Sequence, residues 1–275
     1  MNTTAQNYRY ATAVAVIIIA VTALYFALHK KAGEEGMAAT TTVSSTTPIL
    51  DDAALAKLSA GGTIRGDGYT ITAAHKSSIT TPPPDFNKPL VFSADLTADV
   101  RAILLSRWQA SVVALKKDSH DAETWIGLGA LRKIAGDYSG AASAWEYASL
   151  LSPKNATSFN NLGDLYMNYL HNYPLAEKNY LTAISNQSTN PAYYSALATM
   201  YTSLYKKGTG ADEAILLKGI KANPKSIDLQ VLLARLYTHE GKTAQAKASY
   251  QAAITNATSQ NKPDIATQIK AEANL

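Results

Sequence analysis

Three hydrophobic patterns succeed one another along this chain. From Ala11 to Leu28 an apolar run (ATAVAVIIIAVTALYFAL) carries no charge. As a helix rising about 1.5 Å per residue it spans about 27 Å of hydrocarbon, enough to cross a bilayer. Tyr8, Tyr10, Tyr25 and Phe26 stand at its ends, where such rings prefer the headgroup boundary, and Arg9 and Lys30–Lys31 close it. The pattern predicts a transmembrane helix over 11–28 behind a short tail over 1–10. Apolar positions then thin out through 29–90. Thr40 to Thr47 is Ser or Thr except Val43, a composition that cannot offset its ordering entropy and reads as a tether. Asp51 to Ala60 predicts a short helix, and Thr63 to Ile71 sets β-formers on both sides of Asp67-Gly68, the signal of a small hairpin. Pro82-Pro83-Pro84 reads as a stiff spacer before a folded unit over 91–275.

Within that unit the period is helical. Leu96 to Leu115 is apolar at Val100, Ile103, Leu104, Trp108, Val112 and Leu115, one stripe of a helix. From Trp125 a pattern recurs about every 35 residues. Its first half is Trp125-x2-Leu128-Gly129, Phe159-x2-Leu162-Gly163-x2-Tyr166, Tyr194-x2-Leu197-Ala198-x2-Tyr201 and Gln230-x2-Leu233-Ala234-x2-Tyr237. Its second half is Ala141-x3-Trp145-x2-Ala148, Ala176-x3-Tyr180-x2-Ala183, Ala211-x3-Ile215 and Ala246-x3-Tyr250-x2-Ala253. Small residues let two helix axes approach, and the ring on the same face fills the space that remains. Each unit is therefore two helices. The third has two registers, one through Ala211 and one, shifted by a residue, that uses Gly219 and Pro224 and puts Asp212 at the small position.

These residues, with Pro153 and Pro224 at turns between units and Gly136 and Gly241 between paired helices, resemble the tetratricopeptide repeat family. The resemblance covers about 121–257, with repeats near 122–154, 156–189, 191–224 and 227–259. It implies an all-α, right-handed superhelical solenoid of about four helix pairs, flanked by the 96–115 helix and a C-terminal helix from Pro263 to Ala273. Pro191 lies so close to Tyr194 that it opens a helix instead of ending a turn. The family binds peptides or protein surfaces on the concave face of its first helices. Carried onto this chain, that face holds Asn160, Asp164, Asn168, Ser195, Thr199, Ser203, Val231 and Arg235, with an apolar end at Ile126, Ala130 and Ile134. Such a groove is neutral and suits backbone hydrogen bonds with an extended peptide. Tyr169, Tyr173, Tyr193 and Tyr205 fall off the pattern and offer an aromatic contact surface.

Composition narrows the chemistry. With 0 Cys the chain has no thiolate nucleophile, disulfide or thiolate metal site, and its 5 His show no ligand spacing. No phosphate-binding loop, dinucleotide turn, zinc-protease or nucleophile-elbow motif occurs. We expect no catalytic residue, no metal and no cofactor, and a protein that is not an enzyme. The formal charge of +4, from 25 Lys+Arg against 21 Asp+Glu, is not gathered into a basic stripe, so nucleic acid is not an expected partner. The expected partners are a protein or peptide, the membrane through 11–28, and a second copy through exposed flanks. Lysines and arginines flanking the span favour a cytoplasmic array by one charge, whereas the Thr/Ser tether and lack of Cys favour an extracytoplasmic one. The leading expectation is a single-pass membrane protein whose extracytoplasmic repeats recruit or assemble envelope proteins. The alternatives are a holder of unfolded clients, similar to tetratricopeptide proteins of cytochrome maturation, and a self-associating surface protein.

Overall fold

A computed structural model describes residues 63–66, 69–72 and 80–274. The expected transmembrane segment, the tether and the helix over 51–60 lie outside the described residues. Among the described residues no helix is long and apolar enough to cross a membrane. The chain divides into two units, Met1–Ser78 and Ile79–Leu275. In the first, β1 (Thr63–Gly66) and β2 (Tyr69–Thr72) pair antiparallel with Ile64 opposite Ile71 and Gly66 opposite Tyr69, the expected hairpin register.

The second unit is all-helical. α1 (Ala98–Lys117) precedes four helix pairs: α2 (Ala122–Ala135) with α3 (Tyr138–Leu151), and α4 (Ala156–Asn168) with α5 (Tyr173–Asn186). Then come α6 (Pro191–Ser203) with α7 (Ala211–Ala222), and α8 (Ile227–His239) with α9 (Thr243–Ser259). α10 (Pro263–Ala273) packs on α9 and has no helix after it among the described residues. Each first helix opens on a side-chain cap: Asp121 accepts from the N–H of Glu123, Asn155 from Thr157, Asn190 from Ala192 and Ser226 from Leu229. Pro191 is at the start of α6, as its spacing required.

The repeat signature does the packing. Gly129 of α2 lies so close to the indole of Trp145 that a methyl group there would overlap it, and Trp145 Nε1 donates to the Ile126 carbonyl at 2.9 Å. A methyl on Gly163 would stand 2.7 Å from ring carbons of Tyr180. The third pair adopts the shifted register. Asp212 is buried at the small position, Leu216 stands where the other pairs carry Trp145, Tyr180 and Tyr250, and Gly219 presses on Tyr194. Gly210, at φ +77, starts α7 at Ala211 and so carries Asp212 inward.

Polar stitches join consecutive pairs. The signature tyrosines donate to a glutamate on the preceding second helix: Tyr166 to Glu146 at 2.6 Å, Tyr201 to Glu177, and Tyr237 to Glu213 at 2.8 Å. Lys206 and Lys242 donate to the same Glu177 and Glu213 at 2.5 and 3.0 Å. At the opposite edge the amides of Asn186 and Asn256 donate to the carbonyls of Pro153 and Pro224.

The N-terminal boundary differs from the expected one. Packing begins upstream of Val91: Leu90 is buried, Phe86 meets Trp125 edge-on at 6.0 Å, and Arg132 donates to the Lys88 carbonyl at 2.8 Å. The chain behind Pro84 is thus a strap on the first pair, not free spacer. Its anchors, Trp125 and Arg132, are some 40 residues away in sequence, beyond the reach of any local pattern.

Candidate functional site

The expected groove residues fall into two groups. On α4, Asp164 accepts from the Lys133 ammonium and from Asn168 Nδ2 at 2.7 Å, and the same ammonium lies 4.9 Å from the Tyr169 ring centre. Asn160 is half-buried one turn away. Lys133, Asp164 and Asn168 answer one another, so the charges on this part of the face are paired. Thr199 and Ser195 on α6 likewise donate to their own helix, to the carbonyls of Ser195 and Pro191. Ser203 is exposed at the helix end.

The other group surrounds a cleft. Ser195, Val231 and Arg235 line a cavity of about 460 Å³ between α6, α8 and α10, floored by Ile227, Leu232, Ile265 and Ile269 and rimmed by Asp228, Gln268 and Glu272. A second cavity of about 640 Å³ shares Ile227, Asp228 and Ile265 and runs on to Pro191, Asn223 and Lys262. The two adjoin at Ile227, Asp228 and Ile265, the second lying at the starts of α8 and α10 and the first extending along them to Arg235 and Glu272. Arg235 is 57% exposed but paired: its Nε and Nη2 donate to Glu272 at 2.7 and 2.8 Å, and Tyr250 donates to the same carboxylate at 2.9 Å. The Arg235 hydrogen bond holds the Glu272 carboxyl below the usual carboxylate range, and the Tyr250 bond adds to it against the cost of burial. Both charges are thereby paired and fasten α10, which leaves an incoming chain the apolar floor, the Gln268 amide and the Asp228 carboxylate.

Two expectations are corrected. The apolar end of the groove is not in the first unit, because Ile126 is core and Ile134 packs with Leu90 and Leu104 under α1. It lies at the other end, at Ile227, Val231, Leu232, Ile265 and Ile269. The aromatic surface loses Tyr193, which is buried and donates to Gln187 at 3.1 Å. Tyr169 instead meets Tyr138 at 4.5 Å and Tyr173 stacks on Tyr205 at 6.0 Å, each pair bridging consecutive repeats. Ile265, Gln268, Ile269 and Glu272 were missed because α10 read as a cap. The recurrence contained the signal: α10 continues the period as a fifth first helix, its start at Lys262–Pro263 following Ser226–Ile227 by about one repeat.

No family model and no curated protein matches the chain. Solved structures do. MamA is 19% identical with a TM-score of 0.48, over 60% of this chain and 92% of its own. YrrB, described as a TPR protein with an unusual peptide-binding site, is 16% identical with a TM-score of 0.44, over 60% and 90%. PilF of Pseudomonas aeruginosa is 16% identical with a TM-score of 0.47, over 62% and 83%. Within this chain, capped first helices and a period of about 35 residues recur through four pairs, and a glycine presses on a ring in three of them. The second unit is on that geometry a stack of repeated helix pairs, the architecture that the resemblance to tetratricopeptide repeats implies.

Proposed function

We propose that the array is a binding scaffold whose working site is the α6–α8–α10 cleft, and that it takes an extended protein segment bearing a bulky apolar side chain. The carrying observation is the coincidence of Ser195, Val231 and Arg235 on an apolar-floored cavity of about 460 Å³ open to solvent. Burying one Leu- or Phe-sized side chain there is worth about 1.5–3 kcal/mol. The polar rim then orients the backbone of the segment. Screening the full chain against an array of short uncharged peptides with one Leu, Ile or Phe tests this. Val231→Asp is expected to lower binding at least tenfold while the circular dichroism spectrum is unchanged. The pair Asn160→Ala and Asn168→Ala changes it less than twofold, because both lie on α4, outside the residues that line the cleft. Binding that survives Val231→Asp would reject the cleft.

The reading extends to where the scaffold works. Ala11–Leu28 supplies a membrane anchor and the Thr40–Thr47 tract a tether, so the array is displayed on the outer side of a membrane, where it recruits or assembles envelope proteins. Protease added to intact cells is expected to remove the repeats. Cleavage seen only after lysis would place them in the cytoplasm.

A further inference from the structure

The two ends of a stacked array have to be covered, since each repeat buries its faces only against neighbours. α10 meets this with a polar outer side: Asp264, Thr267, Gln268 and Lys270 are exposed. α1 does not. Its inner side buries Leu104 and Leu115, and its outer side carries Ala102, Leu105, Ser106, Gln109, Ala110 and Val113, all uncharged, with Val113 69% and Leu105 38% exposed. Only the ends of this stripe are charged, by Asp99 in the first turn and Lys116 and Lys117 in the last, and none of the three has an ion-pair partner among the described residues.

We propose that α1 is the contact helix of a symmetric dimer and that its occupant is α1 of a second copy, running antiparallel. A two-fold axis beside residues 107–108 sets the stripe on itself with complementary sizes: Ala102 opposite Val113, Leu105 opposite Ala110, Ser106 opposite Gln109. The same axis brings Asp99 of one copy to Lys116 of the other at both ends. A parallel pair would instead stack lysine on lysine and large residue on large. An uncharged centre can be self-complementary without like-charge repulsion, as a two-fold contact requires. One helix about 30 Å long makes a small contact, at or below the roughly 1,200 Å² that marks the low end of specific interfaces. The dimer is therefore weak and exchanges readily.

The chain has 0 Cys, so introduced thiols report without background. The full chain carrying Ala102→Cys with Val113→Cys is oxidised in the membrane or detergent in which it is purified. These positions are three helical turns apart within one chain, about 16 Å, and cannot bridge internally. Covalent dimer is expected at ten or more times the yield of either single-cysteine chain. Lys116→Glu with Lys117→Glu should cut that yield threefold or more, and adding Asp99→Lys should restore it. A double variant that crosslinks no better than the singles, Val113→Cys bridging to itself, or crosslinking indifferent to the charge exchange would each overturn the antiparallel pairing, leaving another protein or a lipid surface to cover the helix.

Discussion

The first and third helix pairs solve the same packing problem with opposite amounts of material. In α2–α3 the gap lies on the first helix, at Gly129, and the filling on the second, at Trp145, whose N–H is also satisfied by Ile126. In α6–α7 the corresponding places hold Ala198 and Leu216, both buried, and the close contact is the pattern's other one, Gly219 on the second helix against Tyr194 on the first, where a methyl would stand 2.8 Å from the ring. Leu216 and Asp212 then occupy positions held elsewhere by a ring and an alanine. What the repeat conserves is thus the pairing of a small residue with a large one across the interface. How large the filling side chain is can vary, from Trp145 to Leu216, as close packing requires only complementary volume.

If the third pair is the looser of the two, truncation should show it. Trp145→Ala is expected to cost about 4 kcal/mol in denaturant melts, and Leu216→Ala about 2–3 kcal/mol. Equal costs would break the contrast. Adding one methyl should be felt in both pairs, since Gly129→Ala and Gly219→Ala each force a ring aside at about 1–3 kcal/mol. A neutral Gly219→Ala would show that Tyr194 has room to move. Asp212 sharpens the comparison from the other side. Its carboxylate is buried with one side-chain donor, the Thr202 hydroxyl at 3.2 Å. Asp212→Ala restores the small residue of the other pairs and removes a buried charge, so stability should stay within about 1 kcal/mol of wild type or rise. A larger loss would mean that Asp212 serves the start of α7 and not the gap.

The same contrast explains what could be read in advance. Gly129 with Trp145 and Gly163 with Tyr180 are visible as spacings because small and large residues fall at fixed places on two local helical faces. Asp121, Asn155, Asn190 and Ser226 cap the first helices and are a local signal as well, one that the spacing pattern does not use. The third register has two readings in the sequence because Asp212 replaces the alanine and Leu216 the ring, which removes both cues from α7. The strap from Phe86 to Leu90 and the α10 wall depend on partners such as Trp125, Arg132 and Arg235, far away in sequence. For the same reason the groove was legible as a set of positions but not as a site. That Asp164 is taken by Lys133 and Arg235 by Glu272 follows from distances no periodicity contains. Only the stacked helices reveal that the hydrophilic half of the groove is internally satisfied and the apolar half is open.

The stitches between pairs differ from the interfaces within them, and acid separates the two. A small residue under a ring has no proton to gain, whereas each tyrosine stitch centres on a carboxylate. Burial pushes the Glu177 carboxyl up, but the hydrogen bonds from Lys206 and Tyr201 outweigh it, and Glu177 ends below its ordinary value of 4.5. Glu213 is held below the same value by Lys242 first and Tyr237 second. A carboxylate depressed by folding lends stability that is present above its unfolded pKa and is lost as pH falls through its folded one. Melting temperature should therefore be flat from neutral pH to about 5 and decline below about 4.5. Glu177→Gln should lower stability at pH 7 by no more than about 1 kcal/mol, because the stitch is partly open to solvent. It should also flatten the acid decline, having no proton left to take up at that position. An unchanged acid slope in Glu177→Gln, with Trp145→Ala still costly at both pH values, would assign the acid sensitivity to the buried Arg132–Asp137 pair under the strap. There burial raises the Asp137 carboxyl while the Gly140 N–H and Arg132 together bring it below its ordinary value.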